Sequence, residues 1–244
     1  MSGPVPPRPV EDDRVERLLP AWLSGIAGMV DVIGWQTLGG LFTAHITGNL
    51  VSIAADVVEG HRARLASVIA VPMFVVVAAA MGVIVQGLSL PNERRESLMM
   101  FAQTAFLFSA ALLALATSSS SSPSTLAAGA VGMLAVSAMA SQNALLHLSR
   151  PHAPTTAVMT GNVVTCTLAL VTMLVFPNSD DGTARTQWRA TWPILLGFLA
   201  GCAAGAGAVR VFGDGAWLAA ASGSLLIWGY RSARRRGGAA RSVA

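Results

Sequence analysis

Long apolar runs separated by short polar punctuation make up nearly all of the chain. A helix needs about 20 apolar residues to cross the hydrocarbon core of a bilayer. Runs of that order lie near residues 19–41, 66–90, 98–117, 124–148, 190–210 and 214–230. Two further helices begin beside a repeated polar tripeptide. The first, near 46–58, is short for a span; the second, near 156–176, is long enough. Turn signals separate the runs: HRAR after the first short helix, PNERRE at 91–96, a serine-rich stretch at 118–125, and FPNSDDGTARTQW after the second.

The tripeptide is Thr-Gly-Asn. It stands in TAHITGNLV (Thr43–Val51) and again, 113 residues later, in TAVMTGNVV (Thr156–Val164). Each copy follows one apolar run and precedes two more. The pattern therefore predicts an all-α fold, a polytopic transmembrane helical bundle of six to eight membrane helices. It divides into two pseudo-symmetric halves, about 18–117 and 124–230. If both Thr-Gly-Asn helices cross, the halves are parallel; if neither crosses, there are six spans and the halves are inverted. Twofold repeats of this kind are typical of transporters, with substrate sites at the repeat interface.

Composition fits a membrane protein. Hydrophobic residues are 53% of the chain, mean hydropathy is +0.59, and charged residues are 11%, against about 25% in soluble domains. The basic pI does not indicate a nucleic-acid partner, because the basic residues, all Arg, cluster at the ends of apolar runs. Arg231, Arg234, Arg235, Arg236 and Arg241 form a C-terminal tail (231–244), which marks a cytoplasmic end. The N-terminal 1–17 is Pro-rich and then mixed in charge, so it reads as a disordered cytoplasmic tail that turns helical near the membrane. It is not a signal peptide. One transmembrane domain, 18–230, lies between, in a bacterial inner (plasma) membrane.

Asp31 is the sharpest candidate. It lies deep in the first span, where a carboxylate costs roughly 2.5–3.5 kcal/mol on insertion scales. It reads as a proton, cation or substrate contact, or as a hydrogen-bonded acid tying helices together. Asp56 falls near a helix end, at the interface. In Thr47, Gly48, Asn49 and again Thr160, Gly161, Asn162, glycine allows close approach or a break, while Thr and Asn can cap a helix start. A broken helix in a membrane is tolerated where protein or a water-filled cavity satisfies the freed groups. The segments are thus expected to place two polar helix starts against each other at the repeat interface. By spacing, Asn143 beside Gln142 corresponds to Asp31, an amide pair in place of the acid. His45, a further ligand or relay candidate, precedes the first motif, and Val158 stands in its place in the second. His147 and His152 read as interfacial.

No His/Cys/Asp/Glu set has zinc spacing. No GxSxG elbow or phosphate loop is present. No enzyme activity, cofactor or metal is expected. Cys166 and Cys202 lie in apolar runs and read as packing residues. Gly197, Gly201 and Gly205 share one helix face, a stripe for close packing within the monomer or across a dimer. Trp22, Trp188, Trp192 and Trp228 read as interfacial anchors, and Met29, Met73, Met81 and Met139 as core filling.

AGMVDVIGWQTLGGLFTAHITGNLV and ASQNALLHLSRPHAPTTAVMTGNVV together resemble the YoaK-like family of bacterial multispanning membrane proteins. The resemblance rests on Gly28, Asp31, Phe42, Thr47, Gly48 and Asn49, then Gln142, Asn143, Thr156, Thr160, Gly161 and Asn162, and covers roughly 20 to 230. Ser141 departs from the family's usual Gly. The resemblance implies a membrane location and fold but no substrate. The expected partners are the lipid bilayer and a small solute or ion, with a homo-oligomer as a further expectation. Two functions stand beside each other: a secondary transporter or permease, and a non-transporting scaffold or subunit of an envelope complex.

Overall fold

The computed structural model describes residues 10–61, 64–150, 154–156, 158–176 and 182–241, with 10–17 and 236–241 as backbone only. Eight α-helices occur among the described residues: α1 Val10–Thr37, α2 Ile46–Val58, α3 Leu65–Gly87, α4 Asn92–Thr117, α5 Leu126–Ser149, α6 Met159–Val175, α7 Thr183–Phe212 and α8 Ala216–Arg241. The backbone of 10–17, in the expected N-terminal tail, belongs to α1, and α8 extends to Arg241.

Local chemistry sets the ends. The first apolar run was expected to continue to 41, but α1 stops at Thr37, because Gly39 and Gly40 take φ of 67° and 83° and turn the chain back. Ser118 ends α4 in a left-handed conformation, and the Thr125 side chain caps α5 by accepting from the Ala128 amide. The second Thr-Gly-Asn helix starts at Met159 rather than 156 and has 17 residues, so it too falls short of a full span.

Contacts at the helix ends fix every direction. Glu96 at the start of α4 pairs with Arg231 and Arg235 near the end of α8, while Asp214, just before α8, accepts hydrogen bonds from Ser119 and Ser120, just after α4. These helices are antiparallel. So are α4 and α5, through Glu96–Arg150 and Gln103–Gln142. The α1 and α7 helices are parallel, with Ala21, Gly25 and Met29 facing Gly197, Gly201 and Gly205 in turn. The start of α3 lies by the end of α1, where Arg64 approaches Gly40, and α3 ends where α4 begins.

It follows that α1 ends and α3 begins at one face of the bundle, so α2 between them returns to the face it left. Likewise α5 ends and α7 begins at the opposite face, so α6 does not cross. The directions therefore describe six helices that run from face to face and two shorter ones, α2 and α6, that return to the face the chain left, rather than eight spans. Five segments satisfy the length and hydropathy of a span; the last, Thr183–Arg235, is 53 residues long and holds the antiparallel pair α7 and α8.

The core lies between α1, α4, α5 and α8, around Leu23, Met99, Leu107, Met139 and Trp217. By contrast α2, α3, α6 and α7 expose large apolar side chains, such as Val51, Val76, Val83, Leu168, Leu174 and Leu199. Such a continuous apolar exterior suits hydrocarbon, where exposing it has no hydrophobic cost. Charges stay at the ends. Glu96, buried, is held by Arg150, Arg231 and Arg235, joining α4, α5 and α8 in one knot.

The glycine stripe packs within the monomer. A Cβ on Gly201 would sit 1.9 Å from the Gly25 carbonyl oxygen, and one on Gly197 would sit 2.2 Å from that of Ala21. Backbone meets backbone here, and neither can yield. Gly207 has nothing within 4 Å. Gly201→Ala is expected to destabilise the bundle by about 1–3 kcal/mol or more through overpacking, and Gly207→Ala to leave it unchanged. Thermal unfolding of the two variants in detergent checks this.

Candidate functional site

After Thr37 the chain folds back along α1 instead of leaving the bundle. Gly34 permits this: a Cβ there would lie 2.8 Å from the Leu41 carbonyl oxygen. Leu38 and Leu41 then seat against Gly132 of α5. The returning segment comes level with Asp31 and is caught by it. One carboxylate oxygen of Asp31 accepts from the Thr43 amide (2.8 Å), the Thr43 hydroxyl (3.1 Å) and the Ala44 amide (2.6 Å). The other lies 2.5 Å from Nδ1 of His45. Asp31 is 5% exposed, so these bonds replace its water almost entirely.

His45 is the residue before the first turn of α2. Its ring stands edge-on to Phe198 of α7, with centroids 5.1 Å apart. Its Nε2 is buried and has no hydrogen-bond partner among the described residues. Cys202, one turn beyond Phe198, lies against Gly28, where a Cβ would come within 3.1 Å of its sulfur.

The asparagines of the two Thr-Gly-Asn motifs do one job twice. Asn49 accepts from the Phe42 amide (3.0 Å) and donates to the Phe42 carbonyl (2.7 Å). Asn162 donates to the Thr155 carbonyl (2.8 Å), seven residues back in the same way. Each clamps the segment that leads into its own short helix. Gly48 is small because the Phe42 ring lies on it, itself packed at a tilt against Trp35. Thr47, Thr160 and Gly161 face outward.

Of the amide pair that spacing sets against Asp31, it is Gln142, not Asn143, that reaches the segment before the second motif. Gln142 donates to the Thr156 hydroxyl and to the Leu23 carbonyl of α1, both at 3.0 Å, and accepts from Gln103 at 2.9 Å. Thr156 stands to the second motif as Thr43 does to the first. Asn143 bonds within its helix to the Met139 carbonyl and lines a half-open crevice of about 300 Å³ between α3 and α5, with Ala78, Gly82 and His147. His152 lies outside the described residues. Asp56, near the end of α2, pairs with Arg64 at 3.6 Å.

The two motif starts are not set against each other, as expected from the sequence. The α2 helix packs on α3, and α6 on α7. The polar groups behind them meet α1 at Asp31 and Leu23, eight residues or about 12 Å apart along the helix. Sequence reasoning missed Thr43 and Gln103; the only signal for Thr43 was its match with Thr156.

Among the described residues no group of three His, Cys, Asp or Glu side chains could hold a metal ion. The arrangement is that of a multi-pass helical membrane protein with a bonded acid in its interior. The family model described as "Protein of unknown function (DUF1275)" matches residues 19–230, and the chain belongs to that family. Neither a curated protein nor a solved structure matches the chain.

Asn49→Ala is expected to cost about 1–3 kcal/mol by leaving the buried Phe42 backbone groups unpaired, whereas Thr47→Ala costs a few tenths at most. Comparing their melting temperatures with the parent checks the clamp.

Proposed function

We propose that this protein is a secondary transporter or permease for a small solute, in a bacterial inner membrane, built from two inverted repeats. One observation carries the reading. Two short helices enter the bundle from opposite faces, and each start is fastened from the preceding crossing helix, by Asp31 to Thr43 and by Gln142 to Thr156. Discontinuous helices at corresponding places in two halves are the usual construction of transporter binding sites. The packing pairs fit the same symmetry: α1 with α7 and α3 with α5, α2 with α3 and α6 with α7. The likeness to YoaK-like sequences agrees with this reading and adds no substrate.

Among the described residues, the face reached by α1 carries Arg64 and Arg210, and the other arginines lie toward the face where α1 begins and α8 ends. The positive-inside rule makes that face cytoplasmic.

A second reading, a non-transporting scaffold or envelope-complex subunit, is favoured by the saturation of Asp31. All the bonds it makes are internal, which is what a purely structural staple requires.

Asp31→Asn separates the two. The amide can keep its oxygen on the Thr43 and Ala44 amides and turn its NH₂ toward His45, so the loop stays held while the charge is removed. A thermal-shift screen of detergent-purified protein against small solutes is the test. A transporter is stabilised by its solute through mass action, about 2.7 kcal/mol at a hundredfold excess over Kd; the expected outcome is a solute that raises the melting temperature of the parent but not of Asp31→Asn. If no solute acts and the variant only melts earlier, the scaffold reading replaces this one.

A further inference from the structure

We infer that the ion handled at the Asp31 site is a proton, shared by the Asp31–His45 pair and exchanged at Nε2 of His45. As the coupling ion of a transporter, this proton rests on the transport reading; as a bound proton, it stands on the geometry alone.

The geometry selects among ions. An ionised carboxylate offers about four lone-pair positions. At Asp31 three donors, the Thr43 amide, the Thr43 hydroxyl and the Ala44 amide, converge on one oxygen, and Nδ1 of His45 lies on the other. A sodium or other metal ion would meet a single carboxylate here, because among the described residues no group of three His, Cys, Asp or Glu side chains stands together to hold one. A proton needs no such group. With Nδ1 donating to Asp31, the lone pair of Nε2 is open to a proton, and among the described residues it accepts no bond. A proton taken there converts a neutral ring beside a carboxylate into an imidazolium–carboxylate pair.

That change decides the charge of the site. The groups facing the pair are the Thr43 and Ala44 backbone, the Phe198 ring and the Cys202 thiol of α7, and the first turn of α2, which carries no acidic residue. Among the described residues no guanidinium is paired with Asp31; Arg210 lies about two turns beyond Cys202 at an exposed position. His45 is therefore the cation available to neutralise Asp31. The site carries one negative charge when the ring is neutral and none when it is protonated, a difference that a low-dielectric interior makes large. The corresponding positions of the other half, Gln142 and Val158, cannot titrate, so the chain holds one such site rather than two. Since His45 leads directly into α2, the proton bears on how firmly that helix start is tied to α1.

The test needs no solute. Full-length protein carrying ¹⁵N-ring-labelled histidine is titrated by NMR from about pH 4 to about pH 9, a range that spans the ordinary titration of the ring. His45→Asn, whose side-chain NH₂ can still donate to Asp31, assigns the signal by its loss; His45→Gln serves if that variant does not fold. One signal is expected to pass from the neutral to the imidazolium pattern, and Asp31→Asn to displace that transition. Hydrogen exchange of the α2 amides, corrected for its intrinsic pH dependence, is expected to follow the same transition in the parent and to lose it in His45→Asn, while α6 shows none in either. A ring that keeps one form throughout, a transition unmoved in Asp31→Asn, or α2 protection indifferent to it overturns the proposal. A parent that titrates as expected yet responds to no solute in the thermal screen overturns the transport reading and leaves the proton site standing.

Discussion

The carboxylate of Asp31 is the anchor on which the first half of this bundle depends. A chain that turns back into an apolar interior brings unpaired backbone amides with it, and each needs an acceptor. Asp31 supplies them within its own helix, one and a half turns before α1 ends. Without it the segment 38–45 could not lie at that depth, Leu38 and Leu41 would not reach Gly132, and α2 would have no interior point from which to start. The second half solves the same problem with neutral groups. Gln142 holds Thr156, and Asn162 holds the Thr155 carbonyl. One half is thus fastened by a charge and the other by dipoles.

Close approach makes this possible. Backbone contact between α1 and α7, permitted by Gly25, Gly28, Gly197, Gly201 and Gly205, brings Phe198 and Cys202 against the acid and seals it from the exterior. The matching interface between α3 and α5 is looser, with Ala78 and Gly82 leaving a crevice beside Asn143. The two interfaces differ in how tightly they close.

The crossing helices were legible because a 20-residue apolar run has few other uses. The depth of α2 and α6 was not, because 13 and 17 residues fall near the threshold and hydropathy carries no direction. What settles direction is which ends meet: Glu96 with Arg235, Ser119 with Asp214. Those pairs join residues about 95 to 139 positions apart. Asp31 could be singled out for its depth alone, and His45 for its place before the motif. That the two would touch depended on the turn at Gly39 and Gly40. Spacing pointed to the amide pair Gln142 and Asn143 without separating them: counting along the chain places a position on a helix but not the face it presents, and these neighbours face different ways.

The α4–α8 pair is fastened at both of its ends, by the knot around Glu96 at one face and by Asp214 with its two serines at the other, with Thr104 bonded to Ser224 between them. An antiparallel pair tied at top, middle and bottom has no soft point about which to bend. It behaves as a strut. The two short helices each pack chiefly on one neighbour outside that pair, α2 on α3 and α6 on α7, and the Asp31–His45 contact sits where the first of them joins the rest.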